Sequence, residues 1–273
     1  MSEATAVERR GAGSSPRRQD ANDGGPVPPS VPERFVPRHV AVAMDGNGRW
    51  AKARGLPRTE GHRVGAGRLV ELARGAVQVG VTHLSVYGFS TENWRRSPEE
   101  VAFLMSFSSE AIRGQRAELD ALGVRIRWSG RTPRLWRGVV QELRASEEAT
   151  RGNDTLTLDL CVNYGGQAEL SDAVAAIARD VGEGRLRPDA IDEDLFAGYL
   201  YQPDAPDVDL FLRPSGEQRT SNFLPWQLAH AEMVFMDVLW PDFDRRHLWQ
   251  AVEAYAARRL RQAREAGGAP PAS

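Results

Sequence analysis

Asp45, Gly46, Asn47, Gly48 and Arg49 stand in one unbroken run, directly after the apolar stretch HVAVAM (39–44). A turn accounts for the glycines; it does not call for a carboxylate and a guanidinium beside them. Three other apolar stretches end in a similar way. LSVYGF runs into Ser90-Thr91-Glu92-Asn93-Trp94, LDLCV into Asn163-Tyr164-Gly165-Gly166, and DLFLR into Pro214-Ser215-Gly216-Glu217-Gln218-Arg219. Arg49, Arg58, His62, Arg96, Arg213 and Arg219 lie at or just after these ends. A guanidinium offers phosphate oxygens a planar donor fork. Glycines let backbone N–H groups approach an anion, and a helix N-terminus adds partial positive charge. EGHRVGAG (60–67), leading into a helix, has that composition and brings His62 with it. The acidic side is sparser, with Asp45, Glu92 and Glu232 as the candidates. Few carboxylates among many arginines suit Mg²⁺, which keeps most of its waters and binds through one or two carboxylates plus substrate phosphates. The pattern predicts a diphosphate site.

These groups must be brought together by the elements that carry them. HVAVAM (39–44), THLSVYGF (82–89), VRIRWSG, TLTLDLCV (155–162) and DVDLFLR (207–213) read as strands. GRLVELARGAVQVG has Leu69, Leu72, Ala73, Ala76 and Val77 at helical spacing and stops at Gly80. Ser97, Pro98 and Glu100 open the next helix with a capping-box signature ahead of Val101, Leu104 and Met105. PRLWRGVVQELRASEEAT and AELSDAVAAIARDV read as further helices. Strands alternating with helices predict an α/β domain built on a central, mostly parallel sheet flanked by helices. In such a sheet the carboxyl ends of the strands share one edge, where ligands bind, so the polar tips converge there. An ordinary surface turn explains any one tip; four tips with the same chemistry are harder to explain that way.

With 273 residues, 41% of them hydrophobic, the chain fills one substantial core. Residues 1–33, rich in Gly, Pro, Ser and charge, read as a disordered leader, 34–265 as one domain and 266–273 as a frayed tail. A net charge of -2 argues against a nucleic-acid binder. The lone Cys161, inside an apolar run, reads as a buried structural thiol and excludes an intrachain disulfide. No apolar run reaches the length of a spanning helix and no signal-peptide core opens the chain, which predicts a cytoplasmic protein. The G-x-x-x-x-G-K-[ST] of P-loop enzymes, a complete dinucleotide fingerprint, the G-x-S-x-G of hydrolases and a paired D-D-x-x-D are all missing.

HVAVAMDGNGRWAKARGLPRTEGH, YGFSTENWRRSPEEV, LCVNYGGQAEL and LFLRPSGEQRTSNFLPWQLAHAEMVFMDVLWPDFD together resemble the cis-prenyltransferases, or isoprenyl (undecaprenyl) diphosphate synthases. The similarity covers about residues 35–260 in order and is nearest to the actinobacterial long-chain, decaprenyl-type members. D-G-N-G-R-W and R-x-S-G-E-Q-R…S-N-F…W-Q…A-E are specific strings rather than generic glycine loops. The resemblance implies condensation of isopentenyl diphosphate onto an allylic diphosphate of farnesyl or geranyl type, with Z geometry at each new double bond. It implies Mg²⁺, an apolar product tunnel, a homodimer and transient membrane contact at product release. Asp45 and Glu232 would hold the metal. Gly46, Asn47, Gly48, Arg49, Trp50, Arg58 and His62 would cradle the allylic diphosphate. Ser90, Thr91, Glu92, Trp94 and Arg96 would flank the reacting centre, with Asn93 as proton acceptor or, given its poor basicity, as a positioning group. Arg213, Arg219, Thr220 and Ser221 would grip isopentenyl diphosphate. Pro214 departs from the family's usual Thr or Ser, and Pro225 stands in what the pattern predicts to be a helix. Gly88 takes a position that is bulky in short-product relatives, which points to a long product. Two other functions compete with this reading: a non-catalytic partner subunit and a phosphate-ligand binding module. The intact DGNGRW and STENW strings argue against the first, and the Asp45/Glu232 pair with Asn93 against the second.

Overall fold

The computed structural model describes residues 24–265. The expected leader therefore lies outside the described residues except for 24–33, and the expected tail at 266–273 lies outside them entirely. Six strands form one sheet: β1 (His39–Val42), β2 (His83–Ser90), β3 (Val124–Ser129), β4 (Leu156–Tyr164), β5 (Leu210–Arg213) and β6 (Glu232–Phe235). Their order is β3-β4-β2-β1-β5-β6 and every pairing is parallel. From β1 the chain moves outward through β2 on one side and reaches β5 and β6 on the other. The connection direction therefore reverses beside β1, which opens a crevice at its carboxyl end. Asp45 stands in that crevice.

The helices are α1 (Asn47–Ala53), α2 (Arg58–Ala66), α3 (Arg68–Val79), α4 (Pro98–Ala121), α5 (Arg137–Ala149), α6 (Gly166–Gly182), α7 (Glu193–Ala197) and α8 (Arg245–Glu265). Their ends follow local chemistry. Ser97 Oγ accepts the N–H of Glu100, with Pro98 in the first turn of α4. Gly80, at φ 92°, closes α3 by donating to the carbonyls of Ala76 and Val77. One face of the sheet packs Val40, Val42, Leu84, Val86 and Leu212 into the main core, which includes residues of α3, α4, α5 and α8. The other face carries Ala41, Cys161 and Phe211 against Phe223, Leu224 and Leu228. Cys161 is buried there, and burial pushes its thiol pKa up.

Three features differ from the sequence reading. EGHRVGAG is itself helical, most of it in α2. A Cβ on Gly61 would lie 2.0 Å from Asn47 O, and one on Gly65 2.4 Å from Asn47 Oδ1. These glycines let α2 cross α1 at close range; they are not an anion loop. The segment around Pro225 is a series of turns, not a helix. The half-buried strand EMVF (β6) carries too few alternating residues to register as a strand in the sequence.

Candidate active site

The tips of β1, β2 and β5 close around a pocket of about 670 Å³ at the carboxyl edge of the sheet. Asp45, Gly46, Asn47, Gly48, Arg58, His62, Ser90, Glu92, Asn93, Arg96, Arg213, Arg219 and Ser221 all line it. At its centre is an ion pair. Asp45 Oδ2 accepts from Arg213 Nη2 at 2.9 Å and from Ser215 Oγ at 2.9 Å, while Oδ1 accepts the Gly46 N–H at 2.6 Å. Burial alone would raise the Asp45 pKa, but these bonds and the Arg213 charge outweigh it and hold the group below its ordinary value. Arg213 is 5% exposed. It also donates to Ser221 Oγ at 2.7 Å and to the Arg219 carbonyl, which fixes the loop after β5. Ser215 is held at φ 93°, in the left-handed region.

Arg96, just before α4, and Arg58, the first residue of α2, both reach the pocket and both pair with Glu100, at 2.7 and 3.4 Å. Gly48 gives Arg58 its place: a Cβ there would lie 2.7 Å from the guanidinium carbon. His62 is held neutral, its pKa pushed down to about 4 by burial, by Arg96 and by Arg58, against the opposing charge of Glu100. Its Nε2 is buried and has no hydrogen-bond partner among the described residues. From this polar mouth a second, apolar cleft runs between α4 and the sheet. Met44, Tyr87, Gly88 and Leu104 line both spaces, and Phe107, Ile112 and Leu119 line the cleft further along α4.

The family model described as "Putative undecaprenyl diphosphate synthase" matches residues 43–263. The chain belongs to this family of cis-prenyltransferases. It is 60% identical over 247 residues to the trans,polycis-polyprenyl diphosphate synthase ((2Z,6E)-farnesyl diphosphate specific) of Thermobifida fusca, covering 90% of this chain and 86% of that one. It is 57% identical over 226 residues to the decaprenyl diphosphate synthase of Mycobacterium tuberculosis, covering 83% and 76%. Among solved structures it resembles lavandulyl diphosphate synthase from Lavandula x intermedia, solved with dimethylallyl diphosphate. The TM-score is 0.80 at 34% identity, covering 83% of this chain and 98% of that one.

Some residues expected at the prenyltransferase site stand elsewhere. Glu232 begins β6 opposite Leu210, while the carboxyl end of β6 pairs Phe235 with Arg213. That places it about 10 Å down the strand from the site edge and two strands across from β1. It accepts instead from Arg258 Nη1 at 2.8 Å. The expected Asp45/Glu232 metal pair does not form within this chain. Trp50 turns from the pocket and donates to Asp242 Oδ1 at 2.7 Å. Trp94 donates to Asn163 Oδ1 at 2.7 Å and buttresses the β2 tip from behind. Thr91 packs on Gly165, and neither it nor Thr220 lines the pocket. Arg49, half-exposed, braces the centre by donating to the Ser215 carbonyl at 2.9 Å and to Asp45 Oδ2 at 3.4 Å. Asn93 lines the pocket, and its Oδ1 accepts the Ser90 N–H at 3.1 Å in a capping box, which fixes how the side chain is turned. Tyr87 and Asn222 line the pocket without having been singled out in the sequence. An alternating strand and a turn asparagine give no signal of which way their side chains face the site.

The site also bears on the metal. Among the described residues no group of three His, Cys, Asp or Glu side chains is placed to hold an ion. Asp45 is ionised, part-exposed and surrounded by diphosphate-type donors. That donor set fits Mg²⁺ held by one carboxylate together with substrate oxygens and water, and it does not fit a closed protein cage. Among the described residues no helix is long and apolar enough to cross a membrane.

Proposed function

We propose that this chain is a Mg²⁺-dependent cis-prenyltransferase that joins isopentenyl diphosphate to a farnesyl- or geranyl-type allylic diphosphate and elongates it to a long-chain polyprenyl diphosphate with Z double bonds. The observation that carries the reading is a cationic, Asp45-centred pocket opening directly onto an apolar cleft. A diphosphate head and a hydrocarbon tail need that combination.

Two anionic subsites lie within the pocket. Gly46, Asn47, Gly48, Arg58 and His62, with Arg49 behind them, take the allylic diphosphate; Arg213, Arg219 and Ser221 take isopentenyl diphosphate. Asp45 is the residue that holds Mg²⁺, which when bound neutralises charge on the diphosphate oxygens. In the reaction the allylic C–O bond breaks and its electron pair passes to the diphosphate. The π electrons of isopentenyl diphosphate then form the new C–C bond at C1, and a proton leaves C2. Arginines placed before the reaction stabilise the leaving diphosphate without reorganising. Neutral His62 adds no charge that would repel the carbocation at the mouth of the cleft. Asn93 orients the β2 tip around the departing proton, which passes to a diphosphate oxygen. The growing tail is drawn into the cleft along α4. A homodimer in the cytoplasm, with brief membrane contact at product release, completes the proposal.

Purified protein with Mg²⁺, labelled isopentenyl diphosphate and farnesyl or geranyl diphosphate yields butanol-extractable polyprenyl diphosphate on this reading. Absence of product with every allylic primer tried overturns it.

A further inference from the structure

The tip of β4 and the two residues after it, Asn163-Tyr164-Gly165-Gly166, lend no group to the pocket. The two glycines nevertheless sit closer to the neighbouring tips than a side chain allows. A Cβ on Gly165 would lie 2.4 Å from Thr91 Oγ1 and 3.1 Å from Asn222 Nδ2. A Cβ on Gly166 would lie 2.0 Å from Pro225 Cδ and 3.1 Å from Asn222 O. Thr91, Pro225 and Asn222 share the space these glycines leave, and Asn222 alone borders both.

Its backbone is left-handed at φ 62°, between Ser221 at 52° and Leu224 at 45°. Asn adopts that conformation more readily than most residues. Each polar atom of Asn222 beyond its own N–H is then used on a different neighbour. Its carbonyl accepts the Gly166 N–H at 2.8 Å, its Oδ1 accepts the Gln167 N–H at 2.8 Å, and its Nδ2 donates to Glu92 Oε1 at 2.8 Å. One side chain thereby joins the tips of β2, β4 and β5. The turn it belongs to also carries Arg219 and Ser221. Glu92 is exposed on a short 3₁₀ turn (Thr91–Arg95), and its other hydrogen-bonding groups, Ser90 and Thr91, belong to its own tip. Asn222 is the contact that ties this carboxylate to another element.

We propose that Asn222 is a positioning residue for prenyl transfer: it fixes Glu92 relative to Arg219 and Ser221, and so holds the β2 and β5 substrate groups at reacting separation, with Gly165-Gly166 as the socket that receives it. The inference rests on the prenyltransferase reading of the pocket. It gives the glycine pair after β4 and the proline at 225 a shared role, since the Pro225 ring packs on Gly166 and backs the same turn.

Asn222→Asp separates positioning from a purely structural part. The variant keeps an acceptor for Gln167, the carbonyl for Gly166 and tolerance of the left-handed backbone. It replaces the donor to Glu92 with a second carboxylate. Two carboxylates at that range are driven to share a proton, which restores a donor as the pH falls. Tyr87 faces Glu92, and its phenol stays neutral because burial and then the Glu92 charge push its pKa up. His62 is already neutral above its pKa of about 4; the guanidinium groups of Arg96, Arg213 and Arg219 line the same pocket. None of these groups supplies a transition between pH 6 and pH 8.

The test is steady-state condensation of isopentenyl diphosphate across that pH range, with the melting temperature measured in parallel. At pH 8, Asn222→Asp is expected to lose about 10- to 100-fold in kcat, the scale of a misplaced reacting group. KM for isopentenyl diphosphate is expected to change by less than about threefold, since the lost interaction is one of alignment. Activity is expected to recover towards pH 6 relative to the unaltered enzyme. Asn222→Gly keeps the backbone and removes both side-chain bonds, and is expected to show a similar loss with no recovery. Wild-type kcat at pH 8 in either variant overturns the proposal. A loss in Asn222→Asp that is flat with pH and follows the fall in melting temperature also overturns it, because Asn222 is then only a strut. If the unaltered enzyme makes no polyprenyl product in the same assay, the prenyltransferase reading itself fails, a result distinct from either.

Discussion

Gly88 stands where the polar pocket meets the apolar cleft, lining both. A Cβ there would meet Cys161 O and Val162 Cγ2, each at 3.5 Å, an ordinary contact, so the strand accepts a side chain at this point. The ring of Gly88→Phe then fills the passage beside Leu104. Beyond that level, α4 continues from Leu104 to Leu119, a rise of about 22 Å that the proposed path of the tail follows. Burial of a five-carbon unit at about 0.8 kcal/mol per carbon stabilises it by about 4 kcal/mol. Without the passage, each further condensation forfeits that energy, about a 10³-fold bias against elongation. Gly88→Phe is therefore expected to complete the first condensations at near-normal rate and release a short product. Radiolabelled isopentenyl diphosphate, dephosphorylation and reversed-phase chromatography against polyprenol standards read the distribution. A long product of unchanged length from Gly88→Phe refutes the assignment of this cleft as the path of the chain.

Gly61→Ala places a Cβ 2.0 Å from the backbone oxygen of Asn47, which cannot swing aside as a side chain would. The α1–α2 crossing must open, at a cost of about 2–3 kcal/mol of overpacking, and thermal melting is expected to fall by about 4–12 °C. His62 has a folded pKa of about 4, below its unfolded value near 6.5, so the unfolded chain binds the extra proton between these pH values. The stability due to neutral His62 is complete above pH 6.5 and is lost as pH falls towards 4. His83 is depressed to about 4 as well, so the His62 share is the difference between urea midpoints of the unaltered protein and His62→Gln across that window, and a constant difference contradicts it.

Much of the fold was legible in the sequence because buried strands and capped helices leave local marks. The Ser97–Glu100 box, the stop at Gly80 and the apolar runs of β1, β2, β4 and β5 depend on neighbours within a few residues. The site was legible as a set of strand tips for a related reason: a parallel sheet places all such tips on one edge. What escaped was geometry set by distant contacts. Gly61 and Gly65 read as an anion loop because sequence does not say that Asn47 presses on them. Glu232 read as the metal partner of Asp45, yet it starts its strand while Arg213 ends its own, and parallel register carries those two to opposite edges. Trp50 and Trp94 sit in motifs whose neighbours line the pocket, but their indoles turn away from it to Asp242 and Asn163. Asn93 faces the site with its oxygen already engaged by a backbone N–H three residues back, a bond that only the 3₁₀ turn creates.

The central claim is that the Asp45–Arg213 pocket ionises an allylic diphosphate and extends it with Z geometry. Single-turnover condensation of ¹³C-labelled isopentenyl diphosphate with farnesyl diphosphate and Mg²⁺, read by NMR of the new double bond and repeated with Asp45→Ala, tests it directly. The unaltered enzyme is expected to give a Z bond, and Asp45→Ala a rate lower by at least about 10²-fold. An E bond, or an Asp45→Ala variant that turns over at the unaltered rate, contradicts it.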